Sequence, residues 1–542
     1  AMNPAALKQN IADLKPHGTL IVDSDAFDAK GLKLAGYTSN PLEDDSLSGY
    51  QLIKVPLTRL TTEAVEATEL GKKLSERCRN FFAMGLTYWL YDRSLEPTLR
   101  YIEKRFGHDT AVAHADVLAL KAGFHYGETI EGSARRYSVP KARLRPGRYR
   151  NLTGNEALAM GLVTAAERSG KTLFYSTYPI TPASDILHTL SGYKRYGVRT
   201  FQAEDEIAAV CAAIGACYGG NMGVTASAGP GIALKSEGLG LAVMMELPLL
   251  VLNVQRGGPS TGLPTKPEQT DLLQALFGRS GEAPMPVLAA SGPTDCFEVV
   301  QEAWALAMRL MTPVMVLSDA FVANGAEPWR IPDTQELPPI EVNHPQASDF
   351  EGAGAFMPYA RDELLSRPWA LPGTPGLMHR LGGLEKQHIS GAVSYDPDNH
   401  QHMTRLRAQK IANAAQLIPE LVVDGPASGR LLVLSWGGTY GACAEAVHNA
   451  RELGISVAHA HLRHLNPFPS NLGSLLQAYD RVLVPELNSG QLRMLLRAQF
   501  LVDVIGLNKV TGRPFTVEEI DTRIRSLASI EFDDDLQMEA RA

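Results

Sequence analysis

Apolar residues recur along this chain with two periods, and the places where one period gives way to the other mark its organisation. In the first 140 residues short apolar strands alternate with helical patterns. Thr19–Asp23 (TLIVD) and Gln51–Leu57 (QLIKVPL) read as strands, and the Phe-, Leu- and Trp-rich run from Glu76 to Tyr91 as a buried helix. From Asn151 to Asp319 the pattern strengthens. Helix-period stretches at 155–168, 204–218, 231–246 and 295–310 alternate with strand-like runs at Thr172–Ser176, Met222–Ala226, Leu249–Val254 and Pro313–Leu317. Strands that are apolar almost throughout are buried on both faces, which predicts a parallel sheet covered by helices on either side.

The pattern then breaks. Nine prolines lie between Pro328 and Pro375, including Pro338–Pro339, which excludes long helices and predicts an extended crossover. After a polar helix near 400–417, alternation resumes. Leu431–Ser435, Ser456–His461 and Arg481–Pro485 read as strands and 441–453 and 490–500 as helices, a third α/β unit. At the other end, Ala1–Asn3 leads straight into a helix as though an opening strand ended there. The sequence is therefore expected to begin inside its first domain.

Composition narrows the class. The 542 residues suffice for three or four domains, and 45% hydrophobic with 20% charged residues is an ordinary globular balance. The net charge of −8 carries no basic stripe of the kind a nucleic-acid binder needs. The apolar stretches are too short to cross a bilayer and no basic-then-apolar leader is evident, so a cytoplasmic protein without membrane or nucleic-acid partners is expected. Cys78, Cys211, Cys217, Cys296 and Cys443 form no C-x-x-C pair, which argues against a disulfide scaffold or a metal cluster held by this chain.

Ligands of open α/β sheets sit at the carboxyl ends of the strands. Four of the predicted turns there carry unusual residues. Tyr178-Pro179-Ile180-Thr181-Pro182 follows the first strand of the strong region; as plain structure it is a helix start, with Thr181 as N-cap and Pro182 in the first helical position. Glu204-Asp205-Glu206 opens a helix, where acids suit the dipole. Yet Glu206 shares a face with Val210 and Ala213, and a carboxyl on a face of small residues becomes desolvated. Ser227-Ala228-Gly229-Pro230-Gly231 permits close backbone approach to a ligand. The run Gln255 to Gly262 (QRGGPSTG) sets Arg256 at a strand end before a glycine-rich loop, which suits a carboxylate or phosphate, although a lone Arg is more often in a surface ion pair.

Two further features invite readings that the residues support poorly. Gly437-Gly438-Thr439-Tyr440-Gly441 lacks the full dinucleotide spacing and is followed by no ribose-binding acid. His459, His461 and His464 have no acid or Cys beside them, so a structural role is favoured over a metal centre, with His459 and His461 on one strand face.

Together the turns YPITP (178–182), QAEDE (202–206), ASAGPG (226–231), ELPLLVLNVQRGGPSTGLPTK (246–266) and EQTDLLQALFGRSGE (268–282) resemble the α subunit of 2-oxoacid:ferredoxin oxidoreductases. The likeness covers nearly the whole chain. Residues 1–145 resemble the γ-type domain fused ahead of α in the 2-oxoglutarate-type enzymes, without its opening strand and glycine-rich turn. Residues 150–325 resemble the thiamine-diphosphate pyrimidine-binding domain, 326–425 the inter-domain segment (GLMHRLGGLEK…YDPDNH), and 426–542, with LRHLNPFP, the transketolase-type C-terminal domain.

The resemblance implies oxidative decarboxylation of a 2-oxoacid, foremost 2-oxoglutarate, with coenzyme A to acyl-CoA and carbon dioxide, electrons passing to ferredoxin. Pyruvate or branched-chain acids are the alternative substrates, and a non-catalytic assembly or nucleotide-binding module is the alternative of another class. It implies that Glu206 contacts the pyrimidine N1′ of thiamine diphosphate together with Tyr178, Pro179 and Ile180, and that Thr181, Arg256, Ser260 and Thr261 hold the substrate. A carboxyl on N1′ promotes removal of the C2 proton, and a guanidinium grips a carboxylate through two bonds. The G-D-G motif that holds diphosphate and Mg2+ is absent from the sequence. In the family it belongs to a β subunit, as do the [4Fe-4S] ligands, so a shared site in an α2β2 assembly is expected.

Overall fold

The computed structural model describes residues 1–68, 70–130, 136–350 and 355–539. The chain divides into two compact units, Ala1–Pro146 and Gly147–Ala542. In the first, strands Thr19–Asp23 and Gln51–Val55 pair in parallel. Most of the rest is helical, and helices Arg79–Leu90 and Thr110–Thr129 pack through glycine. A Cβ on Gly85 would lie 2.0 Å from the Leu120 carbonyl oxygen, and one on Gly123 1.9 Å from that of Phe82, so only glycine allows this approach.

The second unit is built on two sheets. The larger has seven strands in the order His464–Asn466, Val287–Ala289, Val314–Asp319, Leu249–Gln255, Met222–Ser227, Leu173–Thr177 and Arg199–Gln202. All neighbours are parallel except His464–Asn466, an antiparallel edge contributed by the C-terminal region. Every residue of the three central strands is buried, which explains why most of their positions are apolar. Helices cover both faces. The helix Gly154–Ser169 opens on a capping box between Thr153 and Glu156 and ends on Gly170 at φ 62°. The second sheet has five strands, Val423–Asp424, Ala458–Leu462, Gly429–Trp436, Tyr479–Glu486 and Val504–Asn508, with only Val423–Asp424 antiparallel.

The proline-rich region has no long helix among its described residues; 351–354 lie outside them. Its anchor is Glu246. This residue ends helix Ser236–Met245 in a left-handed conformation (φ 50°) and is buried between Arg361 and Lys410, both in contact with its carboxylate. Burial opposes its ionisation, but the two cations outweigh it and hold the carboxyl down at about 2.

Three expectations need correction. The helix after the YPITP turn runs Ser184–Ser191 and does not begin at Pro182, because the Ser184 hydroxyl bonds the Ile180 backbone and folds 180–183 into a turn. Thr181 is therefore no N-cap. The acidic helix starts at Glu206, with Asp205 as its cap through a 2.7 Å bond from Ala208 N–H. The run 231–246 is two helices, Gly229–Leu234 and Ser236–Met245, meeting at Lys235.

Candidate active site

The four turns picked out by sequence follow strands Leu173–Thr177, Arg199–Gln202, Met222–Ser227 and Leu249–Gln255, neighbours at the same end of one sheet. Their side chains meet as follows. Asp205 takes the capping role, which frees Glu206, in the first helical position, to turn inward; it is 9% exposed, whereas Glu204 and Asp205 lie in water. Val210 and Ala213 on its face are fully buried.

Gly231 makes room for the Glu206 carboxyl. A Cβ there would lie 3.0 Å from Glu206 Cγ and Oε1 and 1.9 Å from Ser227 Oγ. Gly231 thus packs so closely on Glu206 and Ser227 that any side chain at 231 would collide with them. Ser227 Oγ is buried without a hydrogen-bond partner. A buried hydroxyl is seldom left so, and this one leaves a donor and acceptor unused beside the Glu206 carboxyl.

Lys235 is fully buried nearby; its Nζ donates to the Glu206 carbonyl oxygen at 3.2 Å and to Thr225 Oγ1 at 3.0 Å. Burial brings its ammonium down to about 8. Sequence reading passed over this residue. The available signal was a lysine, followed by Ser236 and Glu237, inside a mostly apolar helical run.

Arg256 is 7% exposed, which removes the surface-ion-pair reading. Its Nη1 donates to the Thr181 carbonyl oxygen at 2.6 Å, while its Nε has no partner. It lines a cavity of about 650 Å³ with Gly229, Ser260, Glu268, Asp271 and Asn488. Ser260 and Thr261 are exposed on the glycine-rich loop, and Tyr178 and Pro179 are exposed on theirs, whereas Ile180 packs on the core. Thr181 reaches Arg256 through its backbone; its side chain faces solvent.

Asp271 and Glu268 also escaped the sequence reading. Asp271 accepts from Asn253 Nδ2 at 3.1 Å and lies against Gly229, where a Cβ would be 2.8 Å from its Oδ1. Burial raises both carboxyls above the usual range. Between them, Gln269 ties this wall to the C-terminal sheet: its N–H donates to the Leu487 carbonyl, its Oε1 accepts from Leu487 N–H, and its Nε2 donates to the Trp436 carbonyl.

The last of these bonds explains the glycines at 437 and 438. A Cβ on Gly437 would lie 2.9 Å from Gln269 Nε2, and one on Gly438 2.4 Å from Asp319 Oδ2, so the turn is closed by protein groups where a nucleotide would have to enter. His459 Nε2 and His461 Nδ1 share the Ser435 hydroxyl at 2.7 and 2.8 Å, and His464 pairs with Glu302. Among the described residues no cluster of His, Cys, Asp and Glu could hold a metal ion, and no helix is long and apolar enough to cross a membrane.

Comparison with known proteins bears on this geometry. Residues 165–376 match the family model described as pyruvate flavodoxin/ferredoxin oxidoreductase, thiamine diphosphate-binding, and residues 1–126 match that described as pyruvate ferredoxin/flavodoxin oxidoreductase. The chain is 54% identical over 528 residues to the 2-oxoglutarate oxidoreductase subunit KorA of Mycobacterium tuberculosis, covering 97% of this chain and 80% of that one. It is 31% identical to the α subunit of 2-oxoacid:ferredoxin oxidoreductase 1 of Aeropyrum pernix, over 87% of this chain and 74% of the relative. Among solved structures, the 2-oxoglutarate:ferredoxin oxidoreductase of Magnetococcus marinus, with 2-oxoglutarate, coenzyme A and succinyl-CoA bound, superposes with a TM-score of 0.86 at 30% identity, covering 97% of this chain and 87% of that one.

Proposed function

The chain belongs to the 2-oxoacid:ferredoxin oxidoreductases, and we propose that it is the α subunit, with a fused γ-type domain at 1–145, of an enzyme that oxidatively decarboxylates 2-oxoglutarate with coenzyme A. The overall reaction balances as 2-oxoglutarate, coenzyme A and two oxidised ferredoxins giving succinyl-CoA, carbon dioxide, a proton and two reduced ferredoxins. The observation that supports this reading is the pairing of the buried Glu206 carboxyl with the unpartnered Ser227 hydroxyl across Gly231, polar groups of the right chemistry for an aminopyrimidine.

Glu206 would hold the pyrimidine of thiamine diphosphate and share a proton with its ring nitrogen, with Tyr178, Pro179 and Ile180 alongside. When bound there, thiamine diphosphate supplies the nucleophilic carbon and electron sink for decarboxylation. Arg256 binds the carboxylate of the 2-oxoacid with the donors that Thr181 leaves free, and its burial excludes the water that would screen this contact. Ser260 and Thr261 lie on the loop that follows, and Thr181 beside the guanidinium, at the substrate's side of the site.

Mg2+, the diphosphate-holding residues and the [4Fe-4S] cluster are assigned to a β subunit in an α2β2 complex working in the cytoplasm, with ferredoxin as the electron acceptor. The test is to co-express both subunits and assay a panel of 2-oxoacids for coenzyme-A-dependent reduction of ferredoxin. Turnover of 2-oxoglutarate well above pyruvate supports the reading; preference for pyruvate moves the substrate, and no coenzyme-A-dependent turnover with any 2-oxoacid overturns it.

A further inference from the structure

Lysines buried in this molecule are of two kinds. Lys410, 3% exposed, is neutralised by direct contact with the Glu246 carboxylate. Lys235, fully buried, has no carboxylate at its ammonium; two of its three donors go to a carbonyl and a hydroxyl. The groups that face it are Glu206, Asp205 and Cys211 from the helix Glu206–Tyr218 and Thr225 from the strand Met222–Ser227. An ammonium in such a place is costly without a paired carboxylate. A stretch that needed only packing between helix and sheet would be served by methionine or leucine.

The position of the cation is specific. The carbonyl it binds belongs to Glu206 itself, so Lys235 pins the first turn of that helix and with it the origin of the Glu206 side chain. The same ammonium lies within the electrostatic reach of the Glu206 carboxyl. We propose that Lys235 is a positioning residue for Glu206, fixing its helical turn and placing a positive charge near the carboxyl that meets the pyrimidine. This rests on the reading of Glu206 as the group that faces thiamine diphosphate. It makes Lys235 part of the proton balance of the site without touching the cofactor.

The test uses the assembled complex with four variants: Lys235→Met, Lys235→Gln, Glu206→Gln and the double Lys235→Met/Glu206→Gln. Near-ultraviolet circular dichroism of bound thiamine diphosphate is followed against pH, C2 proton exchange is measured, and the cofactor-free complexes are melted. Without the cation the site loses a positive charge near the pyrimidine, so the Met and Gln variants move the dichroism midpoint of the bound cofactor upward by about one pH unit. Exchange slows by about 10- to 100-fold in both. In the Glu206→Gln background Lys235→Met has no further effect on exchange. The cofactor-free Lys235→Met complex melts no lower than wild type near neutral pH.

An unmoved midpoint, or an equal slowing in both backgrounds, returns Lys235 to a structural role. A normal midpoint in Lys235→Gln with a shifted one in Lys235→Met overturns the charge argument. Wild-type exchange in Glu206→Gln alone overturns the reading of Glu206 and, separately identifiable, the inference built on it.

Discussion

Arg256 and Thr181 lie 75 residues apart in the chain, yet the guanidinium Nη1 donates to the Thr181 carbonyl oxygen at 2.6 Å, joining two turns of one sheet edge into a single wall. This bond uses one donor and turns the remainder of the fork toward a cavity also lined by Ser260 and Asp271. Two motifs that sequence alone leaves separate, YPITP and QRGGPSTG, are thereby joined in one wall.

Replacing Arg256 by Ala removes a charged contact to the substrate carboxylate. We expect kcat/KM to fall by one to two decades, corresponding to about 1.5–3 kcal/mol, mainly through KM. Arg256→Lys recovers only part of this, because an ammonium cannot bond Thr181 and a carboxylate in the same fork. Steady-state kinetics of both variants check it, with thiamine affinity unchanged as the control.

Gly231→Ala places a methyl group against Ser227 and Glu206. Overpacking costs about 1–3 kcal/mol of stability. Displacing the Glu206 carboxyl by a fraction of an ångström lowers turnover by about 10²-fold. Thermal melting and kcat separate the two effects. A fully active, fully stable Ala variant would show that the close packing at Gly231 does not constrain Glu206.

Asp319 reports on the joint between the two sheets. It is wholly buried, accepts from Phe321 and Val322 N–H, and lies against Gly438; burial raises its carboxyl to about 6. A carboxyl whose folded value is raised binds more protons in the native state between about pH 4 and about pH 6, so its contribution to stability declines as pH rises through that window. Relative to Asp319→Asn, wild type loses up to about 3 kcal/mol across it and nothing further above it. Asn forfeits the acceptor used by Gly438 N–H, so the pH slope of the melting temperature, compared between the two proteins, is the quantity to measure.

Much of this was legible in the sequence wherever burial is complete. Leu249–Gln255 and Val314–Asp319 show themselves because strands covered on both faces admit only apolar residues in most positions. Arg199–Gln202, an exposed edge strand, and Val287–Ala289, three residues long, carry no such pattern and were missed. Glu206 could be singled out from Glu204 and Asp205 because its i+4 and i+7 neighbours are small and apolar. Lys235 could not be placed. Helical periodicity treats a charge in an apolar run as outward-facing, and only the fold reveals that it ends on the Glu206 carbonyl. Gln269 likewise reads as an ordinary polar residue until Leu487 and Trp436 are brought to it from over 160 residues away.

The central claim is that Glu206 handles the pyrimidine proton, and C2 proton exchange of thiamine diphosphate bound to the assembled complex tests it most directly. Glu206→Gln preserves shape and hydrogen bonding but cannot exchange a proton, and Asp205 still caps the helix. The account predicts a complex that assembles normally and exchanges about 10²- to 10⁴-fold more slowly than wild type. Equal exchange rates in the two proteins would make Glu206 a helix-terminal acid and contradict the account.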